Sequence, residues 1–276
     1  APLTGFQHNP HYELSGCVTA LFLQTKAMRI PISKFVRLAA RGCVAAMSLS
    51  TASPVLSLEI RDRPRAVVEL FTSQGCPPCP SADRNLSRIS ADVIALSYHV
   101  NYWDYTGWTD TFASTDNNEL QRAYAKAAGT RRIYTPQMII NGERGIAGSD
   151  FEDILSSLEG ADLELPLDIE AESADVVIVR VGARSDPGEG VIWLVTFRAS
   201  AQVDIESGDN VCQRLSYSQI VTSRRPIGMW DSTGGAEIRI PVPETLGADN
   251  DGFALIVQEK DNGMPGRILG AAAITR

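Results

Sequence analysis

The segment that decides the fold is Ala66–Cys79, which reads AVVELFTSQGCPPC. Its apolar first half predicts a buried strand, and the residues from Cys79 onward predict a helix with Leu86 and Ile89 on one face. Cys76 is therefore expected at a helix N-terminus, where free amides and the helix dipole favour thiolate over thiol. Cys79 is placed to resolve a mixed disulfide. The alternatives are a structural disulfide and an incomplete metal site.

The prolines around Cys79 reduce the stabilisation that we expect for a Cys76 thiolate. The three prolines that flank Cys79 have no backbone N–H, so Cys79 and Ser81 are left to donate toward a Cys76 thiolate. We therefore expect a modestly lowered Cys76 pKa and a couple more reducing than the strong periplasmic oxidants.

Residues 28–52 look like a secretory signal, with Met28 and basic residues followed by apolar and small residues up to a cleavage site near Ala52. Residues 1–27 would then lie upstream of the true start. The alternative is an amphipathic helix of the folded protein. We expect a periplasmic or secreted protein.

The mature chain is acidic. The whole chain has 25 basic and 33 acidic residues, and residues 1–52 contain five of the basic ones and one of the acidic ones, which leaves a net charge of −12. An acidic chain without basic runs argues against nucleic acid or anionic lipid as a partner. No stretch reaches the ~20 apolar residues that cross a bilayer, so no membrane insertion of the mature chain is expected.

His99 is the one histidine of the mature chain, beside Cys76, Cys79 and Cys212. A Cys2His2 zinc site cannot be built from this set, whereas a copper site formed by the cysteine pair and His99 remains a minor alternative. A hydrolase is disfavoured because no Gly-x-Ser-x-Gly elbow is present. We predict no metal and no cofactor.

The elements after the cysteine motif are predicted in a definite order. They are strand 93–98, helix 118–128, strands 137–140 and 144–147 joined by Asn141-Gly142, and helix 150–158 with Asp150 at its cap. This order resembles a thioredoxin-like domain. In that fold a cis proline lies beside the cysteine pair, which implies that Pro136 is cis and that Thr135 helps to contact the substrate. An ordinary trans proline is the alternative.

The resemblance also implies a buried acid that exchanges protons with the second cysteine. Glu69 lies one residue away from the expected spacing, and a solvent-facing strand glutamate is the alternative.

Five segments carry a narrower resemblance: Glu69–Cys76, His99–Asp104, Gly107-Trp108, Gln121–Tyr124 and Tyr134–Met138. Together they resemble the exported thioredoxin-like family known as domain of unknown function 1223, which implies thiol–disulfide chemistry but names no substrate.

An aromatic loop follows the second strand. It begins at His99 and contains Trp103 and Trp108, which are candidate substrate contacts together with Thr135. Aromatic residues beside a reactive cysteine form either a groove for a peptide or small thiol, or a satellite core under a long loop.

Beyond residue 160 the pattern changes to short alternating strands, at 165–171, 176–183, 191–199, 237–242 and 253–259. The predicted fold is an α/β thioredoxin-like domain over residues 53–160 followed by an all-β sandwich-like domain over residues 161–276. Cys212 is predicted to be buried and inert, or to pair between chains.

The sequence supports two functions from different classes. The first is an exported thiol–disulfide oxidoreductase acting on protein or small-molecule thiols and disulfides, in which Cys76 attacks, Cys79 resolves, and Pro136 with Thr135 shapes the substrate contact. The second is a non-enzymatic periplasmic binding protein in which Cys76–Cys79 is a fixed disulfide.

Overall fold

The structure is a computed structural model that describes residues 58–89, 91–261 and 263–276. These residues belong to one compact unit that begins at Leu56. The predicted signal peptide, residues 28–52, and the residues before it lie outside the described part of the chain.

The described residues form twelve strands, four α-helices and one short 3₁₀ helix, Asp104–Thr106. The strands are β1 (Glu59–Arg61), β2 (Ala66–Thr72), β3 (Val93–His99), β4 (Gln137–Ile140), β5 (Arg144–Ala147), β6 (Leu167–Ala171), β7 (Val176–Val181), β8 (Glu189–Asp204), β9 (Arg214–Asp231), β10 (Ala236–Pro241), β11 (Gly252–Asp261) and β12 (Met264–Thr275). The helices are α1 (Cys79–Leu86), α2 (Thr115–Ala127), α3 (Phe151–Leu158) and α4 (Val242–Leu246).

Within this part of the chain, nine strands join in one mixed sheet in the order β1-β12-β11-β8-β9-β3-β2-β4-β5. β2 and β3 are parallel, with Ala66 opposite Val93, and β2 and β4 are antiparallel. The two halves of the chain meet where β3 runs parallel to β9, with Ser97 opposite Ile220. A second sheet contains β10, β7 and β6.

This architecture contradicts the predicted thioredoxin-like domain followed by a β-sandwich domain. The fold is mostly β, and strands from both halves of the chain belong to a single sheet. The joining strand β9 was not predicted, because Arg224, Arg225 and Pro226 interrupt its apolar pattern. Strand β12 was also missed. The strands predicted at residues 66–71, 93–98 and 137–140 are confirmed, as is the Asp150 cap, whose side chain accepts hydrogen bonds from the amides of α3.

Helices cover both faces of the β2–β4 end of the sheet. α1 and α3 pack on one face around Leu70, Met138 and Ile154. α2 packs on the other face, where Tyr124 contacts a cluster that runs without a break from Phe71 to Ile256 on β11. This continuous core explains why the two halves fold together, since each fully buried large apolar side chain contributes about 1.5–3 kcal/mol.

The three-stranded sheet covers the opposite face of β8 and β11. Val179 of β7 packs there against Leu194 and Leu255. The predicted all-β sandwich-like domain over residues 161–276 is therefore wrong, because the larger of the two sheets extends into the first half of the chain.

Candidate functional site

Cys76 and Cys79 form a disulfide at the start of α1, with an Sγ–Sγ distance of 2.01 Å and a Cα–Cα distance of 5.4 Å. Both cysteines are completely buried, whereas Pro77 and Pro78 between them are exposed. The prolines therefore face solvent while the sulfur atoms are shielded from it.

The first turn of α1 offers few amides to the sulfur of Cys76. The Cys79 N–H donates to the carbonyl oxygen of Cys76 at 3.1 Å, and the prolines have no N–H to donate. The donor to the sulfur comes instead from another segment. Thr135 Oγ1 donates to Cys76 Sγ at 3.2 Å.

The segment before β4 thus lies beside Cys76, as expected. The Thr135–Pro136 peptide bond is cis, in agreement with the prediction. Trp103 Nε1 in turn donates to Thr135 Oγ1 at 2.6 Å. Two of the predicted substrate contacts, Thr135 and Trp103, therefore form a hydrogen-bonded chain that ends at Cys76.

The other two predicted substrate contacts, Trp108 and His99, are linked by hydrogen bonds to Gln74, which precedes Cys76 by two residues. Trp108 Nε1 donates to Gln74 Oε1 at 2.8 Å, and the Gln74 N–H donates to Asp110 Oδ2 at 2.8 Å. The same Asp110 oxygen lies 2.7 Å from His99 Nδ1, and both side chains are fully buried. His99 therefore fixes the aromatic loop to the segment before Cys76 rather than facing an open groove.

The hairpin tip between β8 and β9, residues 205–213, contacts the segment that contains Gln74 and Cys76. Asn210 is 2% exposed, and its Nδ2 donates to the carbonyl oxygens of Gln74 and Cys76 at 2.9 and 3.0 Å. Gly208 has φ +77° and packs on Trp108, where a Cβ would lie 3.1 Å from the Trp108 Cβ. No sequence signal links this tip to Cys76, because Asn210 lies 134 residues away.

Cys212 also belongs to the hairpin tip. It is exposed, with φ 63°, so the prediction that it is buried is wrong.

A buried acid lies behind the disulfide. Asp83 follows Cys79 by four residues and shares the buried face of α1. Neither carboxyl oxygen has a hydrogen bond of normal geometry among the described residues. Burial raises the pKa of Asp83 to about 7, and the nearby His99 is the largest opposing influence. The i, i+4 spacing from Cys79 was the sequence signal that could have identified this residue.

Tyr217 of β9 completes the buried cluster around Asp83. Its ring centroid lies 4.9 Å from that of His99, in an edge-on arrangement. Burial raises the pKa of Tyr217, and the carboxyl groups of Asp83 and Asp110 raise it further. The phenol is therefore a neutral neighbour of the acid.

Glu69, the acid predicted for proton transfer, lies on the opposite face of β2 from α1. Val68 and Leu70 contact the α1 side of the sheet, whereas Phe71 contacts the α2 side that Glu69 shares. Glu69 is fully buried, and the Tyr124 hydroxyl donates to its Oε2. The solvent-facing alternative is wrong, and the carboxyl group is directed toward Tyr124 rather than Cys79.

No group of three or more His, Cys, Asp or Glu side chains suited to a metal ion occurs in the part of the chain that the structure describes. Within the same residues, none of the helices has the length and apolar character needed to cross a membrane.

The fold and this site define a mostly β protein with a disulfide sealed at a strand-to-helix junction. The chain belongs to the family described as "Protein of unknown function (DUF1223)", whose profile matches residues 67–258. The match thus includes both cysteines, the cis proline and the hairpin tip.

The chain is similar to a protein from Agrobacterium tumefaciens with a crystal structure. The two are 34% identical, and the match covers 77% of this chain and 95% of that chain with a TM-score of 0.68. A match to HBP35 of Porphyromonas gingivalis covers 76% of this chain and 74% of that chain, at 12% identity and a TM-score of 0.48. No curated protein matches the chain.

Proposed function

We propose that the protein is an exported thiol–disulfide oxidoreductase whose redox pair is Cys76–Cys79. The observation that carries the proposal is the different environment of the two sulfur-bearing residues. Cys76 accepts a hydrogen bond from Thr135, and Cys79 is followed one turn later by a buried titratable acid, Asp83. A disulfide that serves as a staple requires neither group. Export agrees with the disulfide, because such bonds persist in oxidising compartments.

In the reducing direction, Cys76 loses its proton and the thiolate attacks one sulfur of a substrate disulfide. The other substrate sulfur leaves and takes a proton, and a mixed disulfide joins Cys76 to the substrate. The Cys79 thiol then passes its proton to Asp83 and attacks Cys76 Sγ. The second substrate sulfur is released as a thiolate and takes up a proton, and Asp83 returns the proton from Cys79 to solvent. In net, two electrons and two protons have moved to the substrate. Oxidation of a substrate dithiol is the reverse sequence.

The Thr135 hydroxyl supports the attacking role of Cys76. It already donates to the sulfur in the disulfide, and the same bond to a thiolate would be charge-assisted and therefore stronger. Trp103 holds this hydroxyl by donating to its oxygen, which leaves the Thr135 proton directed at Cys76.

Access to the sulfur atoms requires the hairpin tip to move, because both cysteines are completely buried. Asn210 holds the tip through two hydrogen bonds, and each contributes about 1 kcal/mol net. Breaking these two bonds is a small cost for a substrate that replaces them. Trp103 and Trp108 border the space that would open, so a peptide or small thiol would contact them.

The burial of both cysteines also favours a second candidate, a non-enzymatic periplasmic binding protein with a structural disulfide. Reduction potentials separate the two. A value between about −270 and −120 mV would support the oxidoreductase, and a value below about −300 mV would make the pair structural. The measurement uses the exported protein, with Cys212→Ala in parallel so that this residue does not contribute to the signal.

Trapping provides a second, independent test. The Cys79→Ser variant lacks the resolving thiol, so it should accumulate a mixed disulfide at Cys76 when mixed with oxidised glutathione, detected by intact mass. The Cys76→Ser variant is the matched control and should trap less, because Cys79 lacks the Thr135 contact. Equal trapping by both variants, or by neither, would argue against the assigned roles.

A further inference from the structure

A large cavity lies on the α2 side of the sheet. It has a volume of ≈ 910 Å³ and is enclosed by α2, the loop before it, and strands β8, β9, β11 and β12. We call it the α2 cavity. Pockets of about 300–1,000 Å³ hold drug-sized ligands, so this volume suits a molecule of that size.

Apolar side chains form part of the walls of the α2 cavity. They include Phe112, Leu120, Trp193, Pro226, Met229 and Met264. Met229 is 61% exposed although it lies within a strand. An exposed methionine at the mouth of an aromatic-lined cavity is an adaptable contact for an apolar ligand.

Three cations line the same cavity: Arg198, Arg224 and Lys260. Among the residues that the structure describes, the ion pairs within 4.0 Å include none of the three. The cavity therefore carries unpaired positive charge in a chain whose overall net charge is −8.

Two of the acids on the cavity wall are already engaged elsewhere. Glu119 pairs with Arg122 at 2.8 Å, and Glu259 pairs with Arg184 at 3.3 Å. Asp116 lies at the first turn of α2, where the helix N-terminus favours its charge. The three acids match the three cations in number, but within 4.0 Å none of these acids pairs with any of those cations among the described residues.

Arg224 offers a specific unmet hydrogen bond. Its guanidinium lies 3.7 Å over the Trp193 ring, and Nη2 donates to Gln258 Oε1 at 2.7 Å. Its Nε is buried and has no hydrogen-bond partner among the described residues. A buried N–H of a charged group without an acceptor is unfavourable, and a carboxylate oxygen is the acceptor that suits it best.

Glu69 is a buried acid that is linked to Arg224 only indirectly, through Gln258 and Tyr124. Gln258 Nε2 donates to the Tyr124 hydroxyl at 2.8 Å, and that hydroxyl donates to Glu69. Burial raises the pKa of Glu69, and the attraction of Arg224 opposes that rise. No ion pair within 4.0 Å joins Arg224 to a carboxylate among the described residues.

We propose that the α2 cavity binds an amphipathic organic anion, with its apolar body between Trp193, Leu120 and Met229 and its carboxylate on Arg224. The proposal is independent of the redox function, since no atom of the cysteine pair takes part. An aromatic or alicyclic carboxylic acid is the ligand class that matches both the walls and the charge. A neutral or cationic molecule of the same shape could contact the apolar walls but would lack the carboxylate that Arg224 binds.

The test compares two isosteres by isothermal titration calorimetry on the full chain. The probes are 2-naphthoate and its neutral analogue 2-naphthamide. We expect naphthoate to bind at least about tenfold more tightly than naphthamide, which corresponds to about 1.4 kcal/mol. Its affinity should also fall as ionic strength rises, because part of the interaction is electrostatic.

Matched variants locate the site. Arg224→Met should weaken naphthoate binding about tenfold or more and leave naphthamide unchanged. Arg225→Met is the control, because Arg225 is the exposed neighbour on β9 and is not part of the cavity lining. Met229→Glu places a negative charge at the exposed mouth and should weaken naphthoate relative to Met229→Gln, even if Arg224→Met fails to fold.

The proposal is overturned by any of three results. They are equal affinity for the two probes, equal loss in Arg224→Met and Arg225→Met, and no naphthoate binding at millimolar concentration.

Discussion

Asp83 lies one helical turn after Cys79, and both side chains face the buried side of α1. The candidate proton-transfer acid, Asp83, therefore belongs to the same helix as the resolving cysteine, Cys79, and not to strand β2. Because burial raises the pKa of Asp83 to about 7, this carboxyl group can hold or release a proton near neutral pH.

The first prediction concerns stability and pH. Burial raises the pKa of Asp83 to about 7 in the folded protein, well above its usual value of 3.8. Between these values the folded state holds a proton that the unfolded state has released, so this group makes the free energy of unfolding fall as pH rises. Relative to wild type, Asp83→Asn should gain up to about 4 kcal/mol between pH 4 and pH 8.

Urea denaturation of both proteins across that pH range measures the difference. Asp186→Asn is the control, because Asp186 is exposed and its substitution should leave the pH dependence unchanged. Parallel curves for wild type and Asp83→Asn would contradict the raised pKa.

The second prediction concerns the resolving step. In wild type, the rate at which Cys79 releases glutathione from a Cys76 mixed disulfide should increase around pH 7, as Asp83 loses its proton and becomes able to accept one from Cys79. In Asp83→Asn this inflection should disappear, leaving the inflection of the thiol itself at higher pH. Rapid-mixing kinetics followed by acid quench measure the rate, and an unchanged profile in the variant would remove Asp83 from the mechanism.

The third prediction concerns the Thr135 hydroxyl. Thr135→Val keeps the shape of the side chain but removes the hydrogen bond to Cys76 Sγ. Since a hydrogen bond to a charged group contributes about 1.5–3 kcal/mol, the Cys76 pKa in the reduced protein should rise by about one to two units. Alkylation rates of the reduced protein against pH report this pKa. Thr135→Ser retains the hydroxyl and should behave like wild type; a matching shift in Thr135→Ser would assign the effect to packing.

The fourth prediction concerns access to the disulfide. Asn210→Ala removes both hydrogen bonds from the hairpin tip to Gln74 and Cys76. Reduction of Cys76–Cys79 by a phosphine should accelerate about tenfold, because roughly 1.4 kcal/mol of the cost of opening is lost. Ser207→Ala loses the hydrogen bond from the same tip to Gly107 but leaves the contacts to Gln74 and Cys76, so its effect should be smaller. Equal rates in all three proteins would show that the tip does not control access.

The fifth prediction concerns the buried His99–Asp110 pair. Removing one partner of a buried pair leaves an uncompensated polar or charged group, so His99→Phe should destabilise the protein by about 3–5 kcal/mol. The double variant His99→Phe with Asp110→Leu should recover part of this loss. Denaturant unfolding of wild type, His99→Phe, Asp110→Leu and the double variant forms a double-mutant cycle. Strictly additive effects would show that the two residues are not coupled.

Much of the site was accessible from the sequence because its signals are local. The strand before Cys76 and the helix after it follow from short-range patterns, and both are confirmed. Asp83 was missed although its spacing from Cys79 was visible, because the expected acid was sought on β2. The aromatic loop was located correctly, but its hydrogen bonds to Thr135 and Gln74 depend on side-chain directions that spacing does not determine.

The sequence by itself determined the cysteine pair and its strand-to-helix setting, because both depend on neighbouring residues whose backbone preferences act locally. The cis form of Pro136 was expected only from the family resemblance. The tertiary structure alone decided that β9 joins both halves of the chain in one sheet, that Asn210 donates to the backbone of Gln74 and Cys76, and that Arg224 lines a cavity. These relationships depend on pairings between residues far apart in the chain, including a hydrogen bond across 134 positions. Long-range packing in one continuous core selects such pairings, and the hydrophobic periodicity of a single segment does not predict them.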